Sequence, residues 1–148
     1  MTPETVFTLA NLVALVGWAA LLVSPFAEPR APGWSDRVAA LVVPGLLAAG
    51  YVATIALFWG RSEPVGEPGF TTLQGVRALL GTPEALVAGW IHYLAFDLFV
   101  GAWEARDARR RAIPFGLVVP CLLFTFVSGP FGFALYLALR AAMGRRGQ

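Results

Sequence analysis

Three stretches of this chain, Val6–Phe26, Val38–Trp59 and Ile113–Leu139, contain no Asp, Glu, Lys, Arg or His. A bilayer's hydrocarbon core is about 30 Å thick and takes roughly 20 apolar helical residues to cross, and each stretch is long enough. A fourth, Pro83–Trp103, is of similar length and is interrupted only by Glu84 at its mouth and by His92 and Asp97. Charged residues make up 14% of the chain, against about 25% in soluble domains, too little polar surface for a water-soluble globule. The pattern predicts an all-α membrane protein: a four-helix transmembrane bundle in one domain over residues 1–148, with spans at about 4–26, 37–60, 83–104 and 113–140. The first span is expected to be retained, because no basic segment precedes it and its apolar run is too long for a signal peptide.

Local chemistry marks where these helices begin. Thr2-Pro3-Glu4 and Thr82-Pro83-Glu84 each offer a hydroxyl cap, a proline at the first helical position and an acid in the first turn. Ser35 and Asp36 offer the same to the second helix. The linker after Arg61 opens with Glu63, Pro64, Gly66, Pro68 and Gly69, which stop a helix. It then turns apolar at Leu73, Val76 and Leu80, predicting a short interfacial helix over 71–81. Trp34, Trp59 and Trp103 fall at span ends, where indoles favour the headgroup region. Cys121 is the single cysteine, which excludes an intrachain disulfide, and its place in an apolar run predicts a buried, inert thiol.

Two features recur along the chain. Thr-Pro-Glu opens the first and third spans, and LVVPGLL at Leu41–Leu47 returns as LVVPCLL at Leu117–Leu123. Their common order predicts a tandem repeat of two helix pairs related by an axis along the membrane normal. The polar chemistry is not repeated, since Leu12 and Gly17 stand where the second half has His92 and Asp97. Orientation is nearly balanced: with four spans, six Arg share one side and five the other. The absence of basic residues before the first helix, with Arg30 and Arg37 after it, favours both termini outside. All basic residues other than His92 are Arg, and Ala and Gly are abundant, a bias that points to a GC-rich bacterial genome and so to a bacterial inner membrane.

His92 and Asp97 lie about 13 Å and 20 Å from the start of the third span, inside the hydrocarbon. An ionised Asp there costs about 2.5–3.5 kcal/mol even on insertion scales, more than one hydrogen bond typically returns. Asp97 is therefore expected to be neutral, paired or beside water, and to face the bundle interior. The five-residue spacing points the two side chains about 140° apart, Asp97 aligning with Trp90 and Glu104 and His92 with Phe96. Both join one pocket only if that pocket wraps the helix. An antiparallel fourth helix would bring Thr125 and Cys121 to the level of Asp97 and Ser128 to that of His92, with a kink at Ser128-Gly129-Pro130. Asn11, Tyr51 and Thr54 fall at or above the His92 layer. These considerations select His92 and Asp97 as candidate catalytic residues, and Asn11, Tyr51, Trp90, Phe96, Glu104, Thr125 and Ser128 as candidate substrate contacts. The competing structural readings are interhelical cross-links for His92, Asp97 and Asn11, a headgroup-level position for Glu104, and a loop residue balancing Arg for Asp107.

No repeated-His spacing, nucleophile elbow, Walker loop or dinucleotide-binding glycine pattern occurs, so neither a metal nor a cofactor is expected. The net charge of +2 is spread without an extended basic face, which excludes a nucleic-acid partner. The partners expected are membrane lipids, a carotenoid or isoprenoid ligand, and a second copy of the chain in a homo-oligomer.

The stretch WIHYLAFDLFVG, with TLQGVRALL before it, LVVPCLLFTFVSGPFG after it and FTLAN near the start, resembles the abscisic-acid-deficient-four-like family. Trp90, His92, Asp97, Leu98 and Phe99 match its plant pattern, while Glu104 and the Arg-rich loop depart from it. Plant plastid members are required to make neoxanthin. The resemblance implies a cofactor-free isomerisation of a carotenoid epoxide to an allene, with Asp97 as acid and His92 as base. The alternative is a non-catalytic protein that binds pigment or lipid and stabilises a partner complex. Transport is the weaker reading, since four helices leave little room for alternating access.

Overall fold

The computed structural model describes residues 1–27, 32–58 and 60–144. Every regular element among them is helical: α1 (Pro3–Ala27), α2 (Trp34–Arg37), a π turn (Val38–Val42), α3 (Val43–Phe58), α4 (Leu73–Leu79), α5 (Pro83–Arg110), α6 (Phe115–Ser128) and α7 (Pro130–Gly144). α2, the π turn and α3 form one continuous rod. Among the described residues three helices are long and apolar enough to cross a membrane: Pro3–Phe26, Trp34–Phe58 and Pro83–Arg110.

Thr82 and Thr2 cap their helices as expected, accepting from the amides of Ala85 and Thr5, both at 3.3 Å. Ser35 and Asp36 do not cap α2. Gly33 precedes that helix in a left-handed conformation (φ 73°), and both residues lie inside its first turn. The π turn has a local cause in Pro44. With no N–H on Pro44 to bond the Ala40 carbonyl, the ladder widens there, and the Val43 amide reaches back five residues to the Val38 carbonyl. Within the expected 71–81 stretch the helix formed is the shorter α4, capped by Thr72, which accepts from the Gly75 amide at 3.0 Å. Trp59 lies outside the described residues.

α5 is the axis of the bundle, packing against α1, the α2–α3 rod, α6 and α7. Small residues allow the approach. A Cβ on Gly101 would sit 2.7 Å from the Trp18 ring, and one on Gly17 would collide with Leu98. Ala95, Ala102, Ala105 and Ala108 are buried along the rest of the helix. Matched levels (Phe7 and Asn11 with Trp90, Trp18 with Gly101) show that α1 and α5 run in the same direction. Asp36 pairs with Arg106 and Arg109 and Tyr51 faces His92, so the α2–α3 rod runs against them.

The predicted fourth span over 113–140 is not a single helix. α6 has 14 residues and is about 21 Å long, short of the slab. At Gly129 the chain reverses, and α7 returns towards the end from which α6 entered. The contacts fix this direction: Thr125 on α6 meets Glu104 and Gly129 meets Asp97, but Phe133 and Tyr136 pack on Trp103, and Tyr136 and Arg140 reach Asp107. A helix continued straight would have carried Tyr136 away from Asp107. Gly129 has φ 44°, and a Cβ there would stand 2.5 Å from Asp97 Oδ1. A Cβ on Gly132 would overlap the Thr125 backbone nitrogen. These two glycines let two half-length helices close on each other, and Phe124 and Phe131 pack edge to face across the turn at 5.1 Å.

The antiparallel register also differs from expectation by about two turns, because α5 continues six residues beyond Glu104 before turning. Thr125 therefore meets Glu104 rather than Asp97. Asp107 is on this helix, not in a loop. It accepts from Tyr136 Oη at 2.7 Å, Arg140 Nε at 2.8 Å and Arg111 Nε at 2.9 Å, pinning α7 to the end of α5. Trp103 of α5 packs edge to face against Phe133 and Tyr136 of α7. LVVPGLL and LVVPCLL both run inward from this same end, but the second stops at the hairpin, so a full tandem four-helix bundle is not built.

With α7 folded back, the start of α1 and the end of α7 lie at opposite ends of the bundle, contrary to the expectation that both termini share a side. Reporters fused to the two termini, one active only outside and one fluorescent only inside, should place them on opposite faces of the membrane. Placement on the same face would overturn the hairpin.

Candidate functional site

A cavity of about 510 Å³ opens between α3, the 60–72 linker, the end of α4 and the first third of α5. α3 contributes Tyr51, Thr54, Ile55 and Phe58, and α5 contributes Glu84, Ala88, Gly89 and His92, on adjoining helical ridges. The linker closes one side with Ser62, Pro64, Pro68 and Phe70, and α4 ends against it with Leu79 and Leu80. The walls are mostly apolar, which is the usual character of sites for small apolar ligands. Val65, Phe70 and Leu73 are strongly exposed around the linker, a surface suited to the headgroup and upper acyl region.

Polar groups are few and placed at the two ends. His92 stacks on Phe96 with ring centroids 4.6 Å apart and faces Tyr51 at 6.0 Å. It is exposed, and among the described residues it makes no hydrogen bond. Thr54 is turned back on its own helix, donating to the Gly50 carbonyl at 2.8 Å. At the other end Ser62 donates to Glu84 Oε1 at 3.1 Å, while Glu84 Oε2 is closed off from solvent with no donor.

The remaining candidates lie elsewhere. Asp97 faces the α6–α7 turn rather than the cavity, its carboxylate against Gly129 and one oxygen, Oδ2, without a partner. The His92–Asp97 pair is thus not assembled around one ligand, because their angular separation on α5 sends them to different neighbours. Asn11 accepts from Trp90 Nε1 at 3.3 Å and donates to the Phe7 carbonyl at 2.7 Å, a cross-link on the outer α1–α5 seam. Glu104 is fully buried and accepts from Thr125 Oγ1 at 2.9 Å, with Oε2 unpartnered. Ser128 is exposed beside the turn. Cys121 is buried, its thiol directed at the Leu117 carbonyl at 3.7 Å.

Of the candidate residues, the structure therefore brings His92 and Tyr51 together in the cavity, with Phe96 supporting the imidazole. Sequence reasoning passed over Glu84 and Ser62. The signal for Glu84 was present: its eight-residue separation from His92, with Ala88 between, puts both near one ridge of a helix. Ser62 carried no such signal, since its contact spans 22 residues of irregular chain.

The family model described as ABA DEFICIENT 4-like matches residues 5–136. The chain belongs to this family. The match runs from α1 to Tyr136 and so includes the whole cavity and the hairpin turn. No curated protein and no solved structure matches the chain. The family's membrane character accords with the three spanning helices.

The Glu104–Thr125 contact gives a stability test that is independent of any ligand. Thr125→Val should leave a buried carboxylate without a donor, costing about 1–3 kcal/mol. Glu104→Gln keeps an acceptor for Thr125 and should be near neutral. Thermal unfolding in mild detergent, followed by circular dichroism, should rank the two in that order. The reverse order would show that Thr125 does not support Glu104.

Proposed function

We propose that the protein is an acid–base isomerase of a carotenoid or related isoprenoid lipid, acting on a ring end group held in the cavity beside His92. The observation that carries this reading is a mostly apolar cavity lined by both an exposed imidazole, without a hydrogen bond among the described residues, and the Tyr51 ring 6.0 Å from it. A volume of about 510 Å³ lies within the usual 300–1,000 Å³ for small-molecule sites. It suits a ring, with the rest of a long polyene lying along the lipid-facing surface. Family membership supports the same substrate class, since the plant relatives are required for neoxanthin.

Conversion of a ring epoxide to an allene is a proton transfer with no net change in composition. His92 takes the proton from the carbon next to the epoxide. The C–H electron pair becomes the new double bond, the epoxide C–O bond breaks, and its oxygen takes the phenolic proton of Tyr51. The proton on His92 then returns to the Tyr51 phenolate. Tyr51 replaces Asp97 as the acid in this scheme, because it shares the cavity with His92.

Orientation follows from charge. Among the described residues, Arg37, Arg106, Arg109, Arg110, Arg111 and Arg140 lie towards the end of the bundle where α5 ends, against Arg61 and Arg77 at the other. The positive-inside tendency then puts the Arg-rich end in the cytoplasm of a bacterial cell and the cavity towards the outer leaflet.

The test is pigment analysis of a host that makes carotenoid epoxides. Native protein should yield an allenic isomer, and His92→Ala should lower its yield by about 10²-fold or more, the contribution of a general base. Tyr51→Phe should also lower it, while Asp97→Asn should retain conversion. Copurified but unconverted polyene in the native protein would favour the non-catalytic pigment-binding reading, and an unchanged profile with no bound pigment would exclude this substrate class.

A further inference from the structure

We infer that Phe58 sets the width of the end group the protein accepts, by closing the seam between α3 and α5 along one side of the cavity. The inference rests on the reading above that the cavity holds the ring of an isoprenoid. Behind that seam lies a second concavity, an apolar groove of about 200 Å³ between the start of α1 and the end of α3. Thr54 and Phe58 line both spaces. Helical geometry explains their position. Val43, Leu47, Thr54 and Phe58 form the buried face of α3. At about 100° per residue, Tyr51 and Ile55 fall on one flank of that face and border the cavity. Gly50, Ala53 and Leu57 fall on the other flank and border the groove. A single ridge of side chains therefore divides the two.

Phe58 supplies the bulk of that ridge. Thr54 is small, and its hydroxyl is turned back on the Gly50 carbonyl. Because Tyr51 faces His92 across antiparallel helices, Phe58 comes level with the opening turns of α5. The α5 side of the cavity there is Ala85, Ala88 and Gly89, which are too small to reach α3 by themselves. The Phe58 ring fills the gap and is buried. The chain that follows holds it in place. Arg61 donates its backbone N–H to the Phe58 carbonyl at 3.1 Å, and its guanidinium lies over the Phe58 ring, 4.7 Å from the centroid. Gly60, with φ 75°, permits so sharp a return. Arginine stays charged at any working pH, so the clamp is permanent. Such a wall discriminates by width. One six-membered ring can lie wholly on the cavity flank of α3, whereas a wide fused ring system must displace Phe58 or sit further out, away from His92.

The experiment is binding to the purified full-length protein in detergent, read by quenching of tryptophan fluorescence. The probes are polyenes of one chain length that end in a single six-membered ring or in a fused four-ring group. The native protein should hold the single-ring probe about tenfold or more tightly than the other, the scale of a size misfit in an apolar pocket. Phe58→Ala joins the cavity to the groove and should erase the preference by tightening the four-ring probe. Adding Ala53→Trp, on the exposed groove flank of α3, refills the groove and should restore it. Phe58→Leu, a smaller loss of bulk, should shift the preference the same way by a smaller factor, and it carries the test if Phe58→Ala does not fold. Equal binding of the two probes by native protein would overturn the inference while leaving the isoprenoid reading intact. A preference unchanged in the folded Phe58 variants, or a gain that Ala53→Trp leaves in place, would also overturn it. Failure of the native protein to bind either probe would remove the isoprenoid reading and this inference with it.

Discussion

In hydrocarbon, a carboxylate or an open backbone carbonyl has no water to bond, so each must find its partner or its shelter inside the protein. That requirement is concentrated along α5, which carries Glu84, His92, Asp97, Glu104 and Asp107 on a single rod. The last two helices cover three of them, while α1 packs instead on the small residues of the same rod. The α6–α7 hairpin covers Asp97 with Gly129, donates to Glu104 through Thr125, and reaches Asp107 through Tyr136 and Arg140. The two-glycine closure at Gly129 and Gly132 follows from the same demand, because bulkier residues would hold the turn away from the carboxylate it shelters.

The faces of α5 thereby acquire separate tasks. One face, smooth with Gly101 and small alanines, accepts α1 at close range. A second carries the buried acids and is closed by the hairpin. A third carries Glu84 and His92 and is closed only in part, because α3 and the linker leave a cavity there. The chemistry of the candidate site depends on this division. Asp97 and Glu104 have part of their surroundings built from protein backbone and hydroxyls, whereas His92 touches rings and makes no hydrogen bond among the described residues. A group free of internal partners beside open volume can engage a ligand. A group wedged against Gly129 cannot do so without moving the turn.

Several features were readable from residues alone because their causes are local. The threonine caps before α1 and α5, the short helix after the proline- and glycine-rich linker, and the buried thiol of Cys121 depend on a few neighbouring residues each. The 140° between His92 and Asp97 was equally readable, since it is a property of one helix. The function assigned to that pair was not, because it required knowing which neighbours lay at each angle. Glu104 illustrates the difficulty. Its place after Trp103 suggested the headgroup region, but its full burial comes from packing against Thr125 of α6, 21 residues further along the chain.

The sequence by itself determined that the chain is helical and belongs in a membrane, because uncharged runs of bilayer length leave no other solvent for it. It also determined that polar groups would stand within the third of those runs. Only the tertiary structure decided that the last apolar run turns back at Gly129, that α1 begins and α7 finishes at opposite ends of the bundle, and that Glu84 shares a cavity with His92 while Asp97 does not. The physical reason is that apolar length reports how far a segment can reach, whereas reversal at Gly129 depends on contacts with Asp97, Thr125 and Trp103. Those contacts arise between residues far apart in the chain, and no local pattern encodes them.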